Sequence, residues 1–446
     1  MSVLEELAGR GVRGPGKARA DTRILAALHV LDTMGCVAAG VSHPLAAQLS
    51  ALVSHTGDRG DLRSPALTGT HSLRATVLVE SVLAHADEYD ALHPGSAVVP
   101  SAVVVPAALA VADLEGRPGS AVIDSVVAGY EVAVEAGLRF GGPQLYARSW
   151  WPTAVFGALG AAAATAHLLD LDREATTVSL GLAAAGLGGL LSQDELAAGH
   201  YLLAGRAAAN GVEAAYLARA GARASPTLLD GPGAAALGVA AAPGSAAARP
   251  HLDSCVFKAY PCALPLHAAL RALDSLAESR VPVGSAQRVE VLLPSSLSRF
   301  VSADRAPSGP TEAAASAAFA VGAWLRGAAG DVAFFRGELP PDTPEVVLGR
   351  APDLDAGLPD HWGARVVVHL PDGQRIVREE TGAARETALP ALTDMVTAKF
   401  RRRVGTAGDG PGDGLSRELW ITRCLALDAV DDIRDLRLAL SSLAGP

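Results

Sequence analysis

Thr153–Leu169 reads TAVFGALGAAAATAHLL. Apart from His167 it holds no ionisable side chain, and small residues fill most of it. Alanine is the strongest helix former, so the stretch predicts a helix of about four turns. An apolar helix with no polar face is buried on all sides. It is too short and too rich in Ala and Gly for a membrane span. Small side chains also let other helices approach closely, so this one segment points to a mainly helical protein.

The flanking sequence extends that reading. Asp172–Leu191 and Ala204–Ala220 are predicted helices. Upstream, Asp21–Gly40 places Ile24, Leu25, Leu28, Leu31 and Met34 at helical spacing, with Asp21 as the expected N-cap. Leu73–Ala86 and Pro100–Leu114 follow, the latter stopped by Gly116, and Pro118 opens another helix running to Phe140. No long period-two alternation interrupts this block. The character changes after Ser254. Gln287–Leu293 (QRVEVLL) alternates and reads as a strand. Ala364–Leu370 and Arg375–Arg378 flank the turn Pro371-Asp372-Gly373, and Thr311–Arg326 is a helix between strands. From Ala391 the pattern is helical again, ending in an amphipathic helix over Asp428–Leu443. The predicted fold class is therefore mainly α: a large all-helical domain built from both chain ends (1–254 and 391–446), plus a smaller α+β lid domain (255–390). Residues 231–250 read as an irregular connection, and Gly405–Gly414 (GTAGDGPGDG) as a loop whose two aspartates lack the rest of a calcium site.

Composition narrows the function. Half of the 446 residues are hydrophobic, 19% are charged and the net charge is -10, so nucleic-acid binding, which needs a basic face, is not expected. The four cysteines form no CxxC pair, which argues against a zinc or redox motif; no metal and no cofactor are expected. The N-terminus has no apolar signal core, so a cytoplasmic protein without a membrane partner is the expectation. GxGxxG after a strand, GxxxxGK[ST] and GxSxG are all missing. Of the 37 basic residues only Lys17, Lys258 and Lys399 are lysines. In so arginine-rich a chain, a lysine is less often there by drift.

Several segments, in order, resemble the MmgE/PrpD family over nearly the whole chain. They are Asp32-Thr33-Met34-Gly35-Cys36, His85-Ala86-Asp87-Glu88-Tyr89-Asp90, the HPG-type run His93–Pro100, and Gly129-Tyr130-Glu131-Val132-Ala133. Pro152-Thr153 with Gly157–Ala164, Ala204-Gly205-Arg206-Ala207-Ala208, Phe257–Cys262 with His267, and Glu312-Ala313 with Ser316 complete the series. Each is weak alone; their order and spacing together are specific. The resemblance implies a helical domain with an α+β lid, a homodimer, a small-molecule substrate between the domains and cofactor-free chemistry of the 2-methylcitrate dehydratase and cis-aconitate decarboxylase kind.

Such chemistry needs a base beside a carbonyl carbon, fixed positive charge for the enolate, and an acid for the leaving group. By resemblance the catalytic candidates are His93, Lys258, Asp87 and His200; a capping function for His93 is the alternative. Asp90, Ser96, Trp150, Trp151, Thr153, Tyr260, His267 and Phe319 are the candidate substrate-binding residues. Which of Asp87 and Asp90 takes the family's acidic position stays open. Three positions depart from the family pattern. Trp151 stands where a histidine is common before Pro-Thr, His200 where a lysine is common, and Phe319 where a tyrosine is common. Loss of cations disfavours a tricarboxylate, and aromatic walls suit a larger, less charged molecule. The expected activity is dehydration by β-elimination on a specialised metabolite, with conjugate addition or ring closure to follow. The alternatives are the family's primary-metabolic reactions, epimerisation, and a non-catalytic dimeric scaffold.

Overall fold

The computed structural model describes residues 1–191, 199–245, 249–359, 361–382, 388–404 and 413–441. The opening segment is the central helix, Pro152–Leu168, buried along nearly its whole length. Four helices pack around it: Pro100–Glu115, Gly119–Arg139, Arg173–Ala185 and Gly199–Arg219. Glycine makes the closest approach possible. A Cβ on Gly129 would lie 2.8 Å from the carbonyl oxygen of Gly160, and one on Gly160 would lie 2.9 Å from that of Gly129. Any larger residue at either position pushes the two backbones apart.

Both chain ends join this body. The C-terminal helix Leu389–Arg403 packs on Ala20–Gly40, and Val396, Phe400, Trp420, Ile421, Leu427, Ile433 and Leu436 enter the same buried apolar cluster as Leu28, Val103 and Val126. Ala20–Gly40 is also, among the described residues, the helix long and apolar enough to cross a membrane by composition. Its apolar window is 78% buried inside the protein, as a core helix requires.

The large unit is not purely helical. A hairpin of β1 (Leu62–Ser64) and β2 (Leu67–His71) sits within it, too short to show a period-two pattern in sequence. Residues 288–380 supply a four-stranded sheet of β3 (Arg288–Leu293), β4 (Glu345–Arg350), β5 (Ala364–His369) and β6 (Arg375–Glu380). Its order is β4-β3-β5-β6, with β3 and β4 parallel and the other pairs antiparallel. Val289 and Val291 of β3 face Val368 and Val366 of β5, and helix Pro265–Glu278 packs on β5 and β6. Strand β4 was not predicted. It is an edge strand with one buried residue, so it lacks the apolar alternation that marks β3.

Three further boundaries differ from expectation. Arg19 holds the N-cap position of Ala20–Gly40 without a side-chain capping bond, and Asp21 lies in the first turn. The helix at 173 stops at Ala185, before a run of glycines in which Gly189 has φ +121°. The predicted helix Thr311–Arg326 is two, Pro310–Ala314 and Ala317–Leu325. Ser316 breaks it by going extended and accepting the amide N–H of Phe319 with its hydroxyl. Within 231–250 the chain forms only the short helix Pro232–Ala236 among the described residues. The Gly405–Gly414 loop lies almost wholly outside the described residues.

Candidate active site

A cavity opens where the helical body meets the residues that precede and form the α+β unit. It offers about 770 Å³ of empty space, part of it open to solvent. One end is polar and is made by His85, Glu88, His200, Tyr201 and Lys258. The walls are largely apolar: Trp151, Tyr146, Leu191, Leu264, Phe300 and Trp362. A few convergent polar groups in an apolar cleft are the usual form of a small-molecule site.

The polar end is built by one short segment. Helix Leu73–His85 begins at Ser72, whose hydroxyl accepts the Ala75 amide, and ends by delivering His85. The chain then reverses, with Glu88 in the left-handed region at φ 51°. That conformation is unfavourable for a residue with a Cβ, so it must be held by its surroundings. The Lys258 ammonium donates to the Glu88 carbonyl at 2.8 Å and to its carboxylate Oε2 at 2.7 Å. The Lys399 ammonium donates to the next carbonyl, that of Tyr89, at 2.6 Å. The Tyr89 hydroxyl donates to the Ala259 carbonyl at 2.9 Å, tying the turn to the segment that carries Lys258.

His85 Nδ1 lies 2.8 Å from Asp90 Oδ1 and donates to it. This fixes the tautomer and leaves Nε2 facing Glu88 Oε1 at 3.3 Å. His200, in the first turn of Gly199–Arg219, places its Nε2 3.5 Å from the same oxygen. Trp151 stacks on the His85 ring with centroids 5.3 Å apart, and His200 meets Trp151 edge-on at 5.3 Å. The indole therefore closes one face of the polar cluster.

Electrostatics follow from this packing. Burial opposes charge on Glu88, Lys258 and His85, yet in each the opposite charges outweigh it. Burial raises the Glu88 carboxyl, but Lys258 and then His85 bring it well below the usual range. Burial lowers the Lys258 ammonium, but Glu88 and Asp90 lift it above its ordinary value. Burial likewise opposes the His85 imidazolium, and Asp90 with Glu88 turns the balance to a raised pKa. The cluster thus favours the charged forms of Lys258 and Glu88 and biases His85 toward accepting a proton.

Among the residues singled out from sequence, Lys258, His200 and Trp151 line this cavity, and Asp90 supports it from behind through His85. The others stand elsewhere. His93 is not a wall residue. Its Nδ1 accepts the Ser96 amide at 3.0 Å and its Nε2 donates to Ser254 Oγ at 3.1 Å, so both ring nitrogens are spent on a turn. Burial, then nearby His251, depresses it to about 4. Ser96 also accepts the Val98 amide, and Thr153 accepts the Val99 amide, so both brace the His93–Val99 loop. Asp87 is gripped by Arg336, with Nη2 2.6 Å from Oδ2. Trp150 is half-buried and packs against the apolar cluster that holds Leu145, Val155 and Phe156. Tyr260 donates to Asp274 at 2.9 Å, His267 donates to the Cys262 carbonyl at 3.3 Å, and Phe319 packs edge-on against Phe334 in the α+β core.

Glu88 and His85 are the residues that sequence reasoning passed over. Their pairing comes from the turn and not from helical spacing: the helix ends at His85, and the left-handed turn at Glu88 brings the two side chains together. Matching the acidic segment by its aspartates alone hid it.

The fold and the site together define a class: largely helical proteins with an apolar cleft that ends in a buried His/Glu/Lys cluster. A profile of the MmgE/PrpD N-terminal domain matches residues 17–244, and the chain belongs to the MmgE/PrpD family. Over 199 residues it is 26% identical to a protein of Aspergillus oryzae named cis-aconitate decarboxylase-like protein oryM. That similarity covers 43% of this chain and spans 41% of the length of the relative.

Proposed function

We propose that this chain is a cofactor-independent lyase that removes a proton beside a carbonyl group and expels a β-hydroxyl as water. Its substrate is a specialised metabolite larger and less charged than a tricarboxylate. The observation that carries this reading is the cluster at the end of the cleft, in which Glu88 Oε1 stands between the Nε2 atoms of His85 and His200.

Each group has a task. His85 Nε2, with Asp90 behind it, takes the proton from the carbon. The Lys258 ammonium stabilises the oxygen that gains charge. His200 gives a proton to the departing hydroxyl, the C–O bond breaks, and a C=C bond and water result. Glu88 lies between the two histidines and returns the proton from His85 to His200 for the next turnover. General acid–base groups of this kind contribute roughly 10²–10⁴-fold each.

Substrate class follows from the walls. Among the described residues Lys258 is the cluster's single lysine or arginine, and Glu88 already engages it. Three substrate carboxylates would enter against Glu88 and Asp90 with too little positive charge to meet them. Trp151, Phe300 and Trp362 instead offer flat apolar surface. Decarboxylation is the second reading, favoured by the name of the Aspergillus relative. It passes through the same enolate-type charge at Lys258. The dimer implied by the family resemblance belongs to the proposal and is checked by light scattering.

The test is proton NMR in deuterated buffer. Substrates are 2-methylcitrate, citrate and cis-aconitate on one side, and β-hydroxy carbonyl compounds with aromatic or long alkyl substituents on the other. Deuterium uptake or alkene formation is expected with the second group, and lost in Lys258→Met. Turnover of the tricarboxylates, lost in the same variant, would overturn the substrate assignment.

A further inference from the structure

The polar end of the cleft has a second property. The ligand atoms His85 Nε2, Glu88 Oε1 and His200 Nε2 all lie within 4.8 Å of one another. We infer that these three residues form a binding site for a first-row divalent cation of the zinc type, with its open coordination position facing the cleft.

Two of the three ligand-to-ligand edges match the span of a metal site. Charge-assisted N–H···O bonds run about 2.7–2.9 Å. Glu88 Oε1 is 3.3 Å from His85 Nε2 and 3.5 Å from His200 Nε2. With metal–ligand bonds of about 2.0–2.1 Å, the edges of a tetrahedral site are about 3.3–3.4 Å. The lone pair of His85 is also placed for a metal. His85 donates its Nδ1–H to Asp90 at 2.8 Å, so its Nε2 carries the lone pair a metal needs. Asp90 is itself held by the Ser101 hydroxyl at 3.3 Å. A carboxylate behind a histidine is the usual outer support of a metal-bound imidazole. Lys258 occupies Glu88 Oε2 and leaves Oε1 available, which sets a monodentate carboxylate.

Charge allows the ion. Glu88 and Asp90 carry two negative charges against one positive charge on Lys258, so the neutral-histidine cluster is net negative before metal enters. Two imidazoles and one carboxylate select zinc, cobalt, nickel or copper over magnesium or calcium, which prefer all-oxygen sites. The site also depends on this chain's own residues: a lysine at position 200 would offer a cation in place of the third ligand. The three ligand atoms are the ones the proposed proton path uses. A bound ion therefore shuts that path, a consequence that rests on the functional reading above, whereas the binding itself does not.

The test is metal binding alone. Full-length protein is stripped with chelator and titrated with Co²⁺, watching the visible ligand-field bands, with metal stoichiometry measured after gel filtration. One Co²⁺ per chain is expected, displaced by Zn²⁺ and not by Mg²⁺. Glu88→Gln and His200→Gln should abolish the bands, while circular dichroism reports whether each is folded. Asp90→Asn should weaken binding about 10–100-fold. Absence of saturable Co²⁺ or Zn²⁺ binding by the parent protein would overturn the inference. So would bands that survive unchanged in both folded ligand variants, since the ion would then sit elsewhere. Neither result touches the lyase reading, which is judged by deuterium exchange in the stripped protein.

Discussion

Acid should unfold this protein partly through His29, and a single substitution isolates the effect. His29 is fully buried, stacks on Phe257 with ring centroids 4.3 Å apart, and lies 4.9 Å from the ring of Tyr130. Neither ring nitrogen has a hydrogen-bond partner. Burial is the main cause of a pKa depressed from 6.5 to about 3; Asp32 offsets it in part and Lys399 adds to it. Between these values the unfolded chain holds a proton that the folded chain refuses. Stability contributed by the neutral ring is therefore complete above pH 6.5 and is lost as the pH falls toward 3. Linkage gives a loss of about 2 kcal/mol between pH 7 and pH 5, rising to about 5 kcal/mol once both states are protonated. His29→Phe keeps a ring against Phe257 and removes the titration. Urea unfolding at pH 7, 6 and 5 should show the variant losing about 2 kcal/mol less than the parent over that range. Using the difference in slope cancels any packing change at neutral pH. Parallel losses in parent and variant would refute the argument, because they would mean that His29 accepts its proton as readily folded as unfolded.

Four other outcomes follow from the same structure. Asp32 is fully buried between Lys399 at 2.8 Å and Arg403 at 2.6 Å, so Asp32→Asn should cost about 3–5 kcal/mol in chemical denaturation by stranding two cations. Asp90→Asn presents an amide N–H to His85 Nδ1 and inverts its tautomer, so kcat should fall by about 10²–10⁴ with the fold intact by circular dichroism. His93→Gln should lower thermal stability and leave deuterium exchange on substrate within about threefold, since His93 serves a turn; a loss as deep as that of Lys258→Met would restore it to the reaction. Asp87→Asn and Arg336→Met should be non-additive, with a coupling energy on the order of 1–3 kcal/mol in a double-mutant cycle.

The helical architecture was legible because its signal is local and repeated. The Ala/Gly helix at 153–169 could only be a buried centre, and it is. Strands β3, β5 and β6 showed themselves by alternation and by the Pro-Asp-Gly turn, whereas β4 and the 62–71 hairpin carry too few alternating apolar residues to be seen. Site residues were legible where a charged group stood out against its background. Lys258 drew notice as one of three lysines, and His200 and Trp151 as departures from a pattern. His93 was not legible in this way, because a histidine before Pro-Gly has two uses and sequence does not show that Ser96 and Ser254 engage both its nitrogens. Nor was the place of Asp87: its partner, Arg336, lies 249 residues away. Long-range pairing of this kind decides which of three neighbouring acids faces the cleft, and no spacing rule contains it.

That pairing also explains the lysines. Two of the three, Lys258 and Lys399, are almost fully buried, and both end on the turn at Glu88 and Tyr89. Each donates to one backbone carbonyl there and to one carboxylate, Glu88 for Lys258 and Asp32 for Lys399. An ammonium can divide its donors in this way around a single point. A guanidinium presents a rigid, planar fork and would leave donors unmet in so tight a space. Arginine serves where the acceptor is bidentate, as Arg336 does on Asp87 and Arg437 on Glu80. Lys258 comes from the segment leading into the α+β unit, Arg336 from that unit, and Lys399 from the returning C-terminal helix. The strained turn that aims Glu88 at the cleft is therefore clamped from three separate parts of the chain. Loosening any one of them should be felt at the carboxylate before it is felt in the fold.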